Sequence, residues 1–366
     1  MKRYIQLWAL VTMVLALGFA SCSKDEPDDV EKGKTKTLLL KIEKPAATTY
    51  AEDYKTPDGS EIGFGQGWVL FIDGDYNIAK AYRVGFYTDD ETISHDDLLG
   101  AGAYIENLPW SVVGVFFTGA YDLGDLPESL YDLADLKSDF LHTSVMGEGE
   151  LEYVQENKFT CEIDLVPLIA RLEISDIQST GNISSFTVDG IFMDHYYSQV
   201  SLSGQLDDAD FVRNGANPKV FVYDTPAYPA DNEDITYDWL TSGGSVDGVV
   251  VPQSYYNVWR YNVLTGYSSC EPPRIILRLS DIQIEGEGNI EGPKFLTITG
   301  YKDKGNNPIY NFEAGKAYYI EPGKLVFDET YLTDFPNPDI AIDVEVTVTL
   351  PTWTVVDVEP EIFERD

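Results

Sequence analysis

The chain has 366 residues, with 62 Asp and Glu against 25 Lys and Arg, a formal net charge of −37. Apolar residues make up 43%, which supports a sizeable core, excludes global disorder and suits two domains. So negative a surface argues against nucleic acid and anionic lipid headgroups as partners, and three His with three Cys leave little for a catalytic centre.

The chain opens with a basic pair, Lys2 and Arg3, and an apolar run from Leu7 to Phe19 that is too short to span a bilayer. The run ends in Leu17-Gly18-Phe19-Ala20-Ser21-Cys22. Small residues just before a Cys resemble the lipobox of bacterial lipoproteins. That resemblance implies a signal peptide over 1–21, cleavage before Cys22, and a lipid (palmitate among its chains) on the Cys22 thiol. An ordinary secretory signal with an incidental Cys is the alternative. Residues 22–36 then read as an acidic, solvated tether, with Asp25, Glu26, Asp28 and Asp29 close behind the Cys. Such a run resembles the surface-export signal of lipoproteins in anaerobic Gram-negative bacteria, which implies an outer-membrane protein facing outward.

From residue 37 the dominant pattern has period two, and it predicts an all-β protein. Leu38, Leu40 and Ile42 alternate with Leu39, Lys41 and Glu43, a strand with one strongly apolar face. The run from Trp68 to Ile72 predicts a buried strand closing in the turn signal Asp73-Gly74, with a second strand from Ala79 to Phe86. Val112 to Phe117 is another buried strand. Asp125 as cap, Pro127, Glu128 and apolar residues at helical spacing through Phe140 predict one amphipathic helix over 125–141. Phe159 to Leu165 is a strand, Pro167 breaks it, and Ile169 to Ile174 starts another. The expected domains are therefore 37–166 and 167–366. The second repeats the idiom at Phe186 to Phe192, Ile275 to Ile284 and Phe295 to Tyr301. The Asp-, Gly-, Pro- and Tyr-rich stretch 205–270 reads as long excursions outside the sheets. Last comes the cleanest alternation in the chain: Ile342, Val344, Val346, Val348 and Leu350, then Trp353 beyond Pro351. It predicts a long, bent arm with one fully apolar edge. Many strands, few helices and no βαβ rhythm point to two antiparallel β-sandwich domains, the single helix lying in the first.

Chemistry-bearing motifs are missing. There is no Cys-x-x-Cys, His-Glu-x-x-His, Gly-x-Ser-x-Gly or Gly-x-x-x-x-Gly-Lys-Ser/Thr loop. Asp73-x-Asp75-x-Asn77 imitates the start of an EF-hand loop without its Gly and Glu, so it reads as a turn. No catalytic residue, cofactor or metal is expected. Cys161 and Cys270 are expected as free, buried thiols, with a disulfide between them as the alternative that an oxidising compartment permits. Trp239, Tyr255, Tyr256 and Trp259 suit either sugar stacking or packing.

Taken in order, these segments resemble the fimbrillin family, the subunits of type V pili in anaerobic Gram-negative bacteria. The lipobox comes first, then the strand and loop from Lys36 to Tyr54. Trp68 to Asp75 is like the first retained strand and turn, and Val112 to Gly119 precedes the Leu-rich helix. Val145-Met146-Gly147 sits at a Met-Thr-Gly-like turn, and Ile163 to Ile174 is like the segment joining two domains. Phe312 to Ile320 and the Val-rich arm are like the closing strands. The resemblance implies transthyretin-like sandwiches, a non-enzymatic role in adhesion, and assembly by donor-strand exchange with other fimbrial subunits. It implies a removable first strand (Leu38, Leu40, Ile42) and a donor strand (Ile342, Val344, Val346, Val348, Leu350). Its processing loop falls around Tyr50, Ala51 and Lys55. A host or bacterial surface receptor is a further implied partner.

One departure matters. The loop from Thr48 to Lys55 contains no Arg, and the first Arg after Cys22 is Arg83, expected inside the fold. A subunit that keeps its first strand can donate but not accept, which is the geometry of a base anchor. A glycan-binding surface lipoprotein is the alternative of another class.

Overall fold

A computed structural model describes residues 34–43, 62–64, 67–85, 92–119, 126–138, 145–174, 177–212, 259–266, 269–349 and 353–355. The signal segment, Cys22, Tyr50, Ala51, Lys55, Trp239, Tyr255, Tyr256 and Leu350 lie outside the described residues. The elements that follow all belong to the unit Thr35–Asp366.

The first half of that unit contributes β1 (Thr35–Glu43), β2 (Ile62–Phe64), β3 (Gly67–Asp73), β4 (Ile78–Gly85), β5 (Thr92–Ser94), α1 (His95–Leu99), β6 (Ala103–Pro109) and β7 (Val112–Thr118). After these come α2 (Leu130–Asp135), β8 (Lys137–Ser138), β9 (Val145–Glu150), β10 (Glu152–Gln155), β11 (Lys158–Asp164) and β12 (Val166–Pro167). One sheet has the order β10-β11-β1-β6 and the other β12-β9-β7-β3-β4-β5. Leu38, Leu40, Ile42, Ile105 and Ile163 of the first meet Val69, Phe71, Val115 and Phe117 of the second in one core. The far face of the larger sheet is also covered. Trp68, Leu70, Phe116 and Met146 pack under Leu133 of α2, Leu168 and Leu202. β3 is thus buried on both faces, which is why its apolar run has no alternation.

Several local expectations need correction. The helix predicted over 125–141 is one short turn and a half, Leu130–Asp135, capped by Ser129 rather than Asp125. Ser129 and Asp132 form a capping box, and Leu136 already leaves helical geometry. Lys137–Ser138 then pairs as a strand with Val200–Ser201, so tertiary pairing ends the helix where the Leu spacing would extend it. A second helix, α1, was not foreseen; Ser94 caps it. Val145-Met146-Gly147 is not a turn but the start of β9. Its glycines serve close approach between the sheets. A Cβ on Gly147 would fall 2.5 Å from Ile163 Cγ2, and one on Gly149 would fall 2.6 Å from Cys161 Sγ. Thr35 and Lys36, assigned to the tether, belong to β1.

The Asp73 turn is as expected. Asp73 Oδ1 accepts the backbone N–H of Asp75 and of Asn77, each at 2.9 Å. Cys161 and Cys270 are free and buried.

The second half builds another pair of sheets. One has the order Trp259–Leu264, Ile169–Ile174, Ala317–Ile320, Thr347–Thr349; the other runs Ile183–Asp194, Arg274–Ile284, Lys294–Lys302, Ala341–Glu345. Leu172, Ile174, Tyr261 and Tyr318 meet Phe192, Ile276, Leu296 and Ile298 in a single core. Phe312 and Tyr318 stack there with centroids 3.8 Å apart. Residues 259–264, expected among the excursions, are therefore a sheet strand, opposite Ile169–Ile174. Val166–Pro167 still pairs with β9, and Ile169 opens the second set of sheets, so the chain crosses over at Leu168.

The class is all-β, and each of the four main sheets carries one parallel pair: β1 with β11, β4 with β5, 169–174 with 317–320, and 294–302 with 341–345.

Candidate functional site

β1 holds its place through its own alternation. Leu38 and Leu40 are completely buried and Ile42 nearly so, while Lys41 and Glu43 face solvent. The strand is internal. On one side it runs parallel to β11, with Leu38, Leu40 and Ile42 opposite Phe159, Cys161 and Ile163. On the other it runs antiparallel to β6, with Leu38 opposite Ile105 and Leu40 opposite Ala103. Its ends are tied by Thr37 N–H to Asn157 O at 2.8 Å and by Leu165 N–H to Glu43 O at 3.2 Å. Each of the three inward side chains contributes roughly 1.5–3 kcal/mol by leaving water. Without β1, the walls β11 and β6 would stand apart over a floor of Val69, Phe71 and Val115.

The entry to β1 is an aromatic clamp. Lys36 is buried, and its ammonium lies 4.8 Å from the Phe159 ring centre and 5.2 Å from that of Trp110. It donates to the backbone oxygen of Val112. Burial pushes its pKa below the ordinary 10.5. The exit is acidic. The Glu43 carboxyl shares a hydrogen bond with Glu162, which raises its pKa, and the charges of Glu162 and Asp164 add to the rise. Cys161, beneath β1, has its thiol pushed up to about 12 by burial.

The expected donor residues are divided by the structure. Ile342 and Val344 lie in Ala341–Glu345, the edge strand beside Lys294–Lys302, and both are buried in the second core together with Val346. At Val346 the arm crosses to the other sheet, where Thr347–Thr349 pairs with Ala317–Ile320. The parity inverts there. Val346 is 1% exposed, Thr347 is buried and Val348 is 37% exposed. The expected single apolar edge is therefore two half-edges, because one arm serves two sheets. Farther on, Trp353–Val355 pairs in parallel with β2.

Arg83 lies within the fold, as expected. It sits on β4 opposite Trp68 and stacks 5.1 Å from its ring centre. Of the three His, His95 is buried in α1 and His195 accompanies Asp194; His142 lies outside the described residues. Among the described residues no group of three His, Cys, Asp or Glu is placed to hold a metal. No helix among them is long and apolar enough to cross a membrane. The partners β11 and β6 were read as strands or left unassigned, but never as neighbours of β1. Parallel pairing across more than a hundred residues leaves no local mark.

No protein-family model and no curated protein matches the chain. Among solved structures it is similar to a protein assigned to cell adhesion from Bacteroides eggerthii, at 13% identity and a TM-score of 0.48, covering 89% of this chain and 98% of that one. It is similar to another such protein from Parabacteroides distasonis, at 12% identity and a TM-score of 0.48, covering 88% and 98%. A third is a fimbrilin from Porphyromonas gingivalis, at 11% identity and a TM-score of 0.45, covering 88% and 99%.

Proposed function

We propose that the chain is a non-enzymatic structural subunit of a cell-surface fimbria, built from domains 37–166 and 167–366 and joined to other subunits by strand exchange. The observation that carries this is β1: an internal strand with three inward apolar side chains, lying at the N-terminal end of the sheets. Removing it leaves a groove whose refilling needs only an alternating strand, which is the chemistry of β-augmentation. The donor is assigned to the arm beyond Val346. Ile342, Val344 and Val346 fill their own core and cannot be lent without emptying it. Cys22 carries the lipid that holds the unprocessed chain on the outer membrane, facing outward.

The missing Arg favours a particular role. No Arg stands between Cys22 and Arg83, and Arg83 is held in β4. An Arg-specific protease thus has no site at which to release β1, so this subunit keeps β1 and its lipid, and acts as a base anchor.

Treatment of residues 23–366 with proteases of both specificities tests the assignment. Under an Arg-specific protease the chain should stay monomeric with β1 attached. Under a Lys-specific one, a cut at Lys55 should yield oligomers that survive a non-boiled gel and vanish on deletion of 347–366. A ladder after Arg-specific cleavage would reject the anchor role. A chain that forms no ladder and binds no cleaved subunit would reject strand exchange.

A further inference from the structure

A cleft of about 750 Å³ opens on the second pair of sheets and shares no residue with the β1 groove. That volume falls within the roughly 300–1,000 Å³ span of small-ligand sites. Its floor comes from Lys294–Lys302 and Ala341–Glu345, its wall from the segment around Arg274, and its rim from residues 306–311.

The charges inside are sorted. Lys302 Nζ lies 3.4 Å from Asp343 Oδ2. Asp343 occupies space that only a glycine leaves free, since a Cβ on Gly300 would fall 1.9 Å from Asp343 Oδ1. His195 adopts a left-handed backbone with φ 58°, a region that His enters more readily than most side chains, and its Nδ1 lies 2.8 Å from Oδ2 of the buried Asp194. Those two basic groups are thus each matched to a carboxylate. Arg274 is not. It lines the cleft half-buried, and among the described residues it has no carboxylate within salt-bridge reach. Its cross-strand neighbour is Asp194, whose carboxylate turns to His195 instead. In a chain carrying 62 acidic residues against 25 basic ones, a concave site that keeps a guanidinium unpaired is poised for an anion.

The rest of the cleft narrows the anion's class. Tyr310 stands on the rim with 73% of its surface exposed, a flat ring open to a ligand. Asn306, Asn311 and Glu271 add amide and carboxylate groups suited to hydroxyls. A guanidinium fork takes a carboxylate through two parallel hydrogen bonds. We infer that this cleft binds a saccharide bearing a carboxylate, with the acid group on Arg274 and a sugar face against Tyr310.

Galacturonic acid and galactose differ only in the carboxylate, which makes them the probe and its control. Titration of each into residues 23–366, followed by calorimetry or ligand-observed NMR, should show saturable binding of galacturonate. Galactose should bind at least about tenfold more weakly, the range expected for one charge-assisted pair. Arg274→Ala should weaken galacturonate by a similar factor, and Arg274→Lys, which keeps the charge and loses the fork, by less. Tyr310→Ala alters an exposed side chain, so it should leave the melting temperature unchanged while weakening both sugars. Equal binding of the two sugars, indifference to Arg274→Ala in a folded variant, or no saturable binding at millimolar sugar would each overturn the inference. None of these readouts depends on whether the subunit assembles.

Discussion

Lys36 shows how one side chain sets conditions for a whole strand. Its ammonium is buried under two rings, and its pKa is lowered by that burial. Between the lowered value and 10.5, the unfolded chain therefore binds the extra proton. Stability should rise with pH in that window, and Lys36→Met should flatten the rise. Urea melts at several alkaline pH values would show this. A slope unchanged by Lys36→Met would mean the ammonium is not desolvated. At the other end of β1, the raised pKa of Glu43 gives the opposite sign. The folded state holds a proton that the unfolded chain has lost, so this end is better held below the raised value and loosens above it. Amide exchange of Ile42 and Glu43, corrected for intrinsic rates, should be slower at pH 4.5 than at pH 7. The thiols make a simpler case. Burial raises both Cys161 and Cys270 to about 12, so neither should react with a thiol reagent at pH 8 until the chain is denatured. Rapid labelling of the folded protein would contradict their placement.

Among the elements, the C-terminal arm separates what sequence can say from what it cannot. Alternation marked 342–350 as strand, and it is strand up to Thr349 apart from Val346. Alternation could not show the change of sheet at Val346, because a valine series reads the same whether one sheet or two receive it. The consequence is measurable. Val346→Asp should cost about 4 kcal/mol or more, as an unpaired charge in a closed core, whereas Val348→Asp should stay within about 0.5 kcal/mol. Similar costs at both positions would restore the single apolar edge. α2 failed for a related reason. The Leu spacing of 126–140 is helical, but Leu126 is exposed and only Leu133 of the helix is buried. The cover needed over Trp68 and Leu70 is one turn wide, and pairing of Lys137–Ser138 claims the rest. β3 and β7 were legible because they are buried on both faces or nearly so, and continuous apolar runs leave no second interpretation.

For the whole molecule, the strand content was legible, while the partners were not. Neighbours in these sheets are often a hundred residues apart, as for β1 and β11, and direction leaves no imprint on inward and outward residues. The cleft around Arg274 was invisible for the same reason: its residues come from five separated segments. The account rests on β1 being a replaceable part of a stable frame. Leu40→Ala within the intact chain should cost about 2–5 kcal/mol in urea melts, with Lys41→Ala near neutral. The most direct measurement removes the strand altogether. The chain 56–366 would be titrated with a peptide of residues 33–44, with Leu38, Leu40 and Ile42 all changed to Ser in a control peptide. The account predicts saturable binding of the native peptide, a higher melting temperature in its presence, and neither effect with the control. A truncated chain that folds but ignores the native peptide would contradict it.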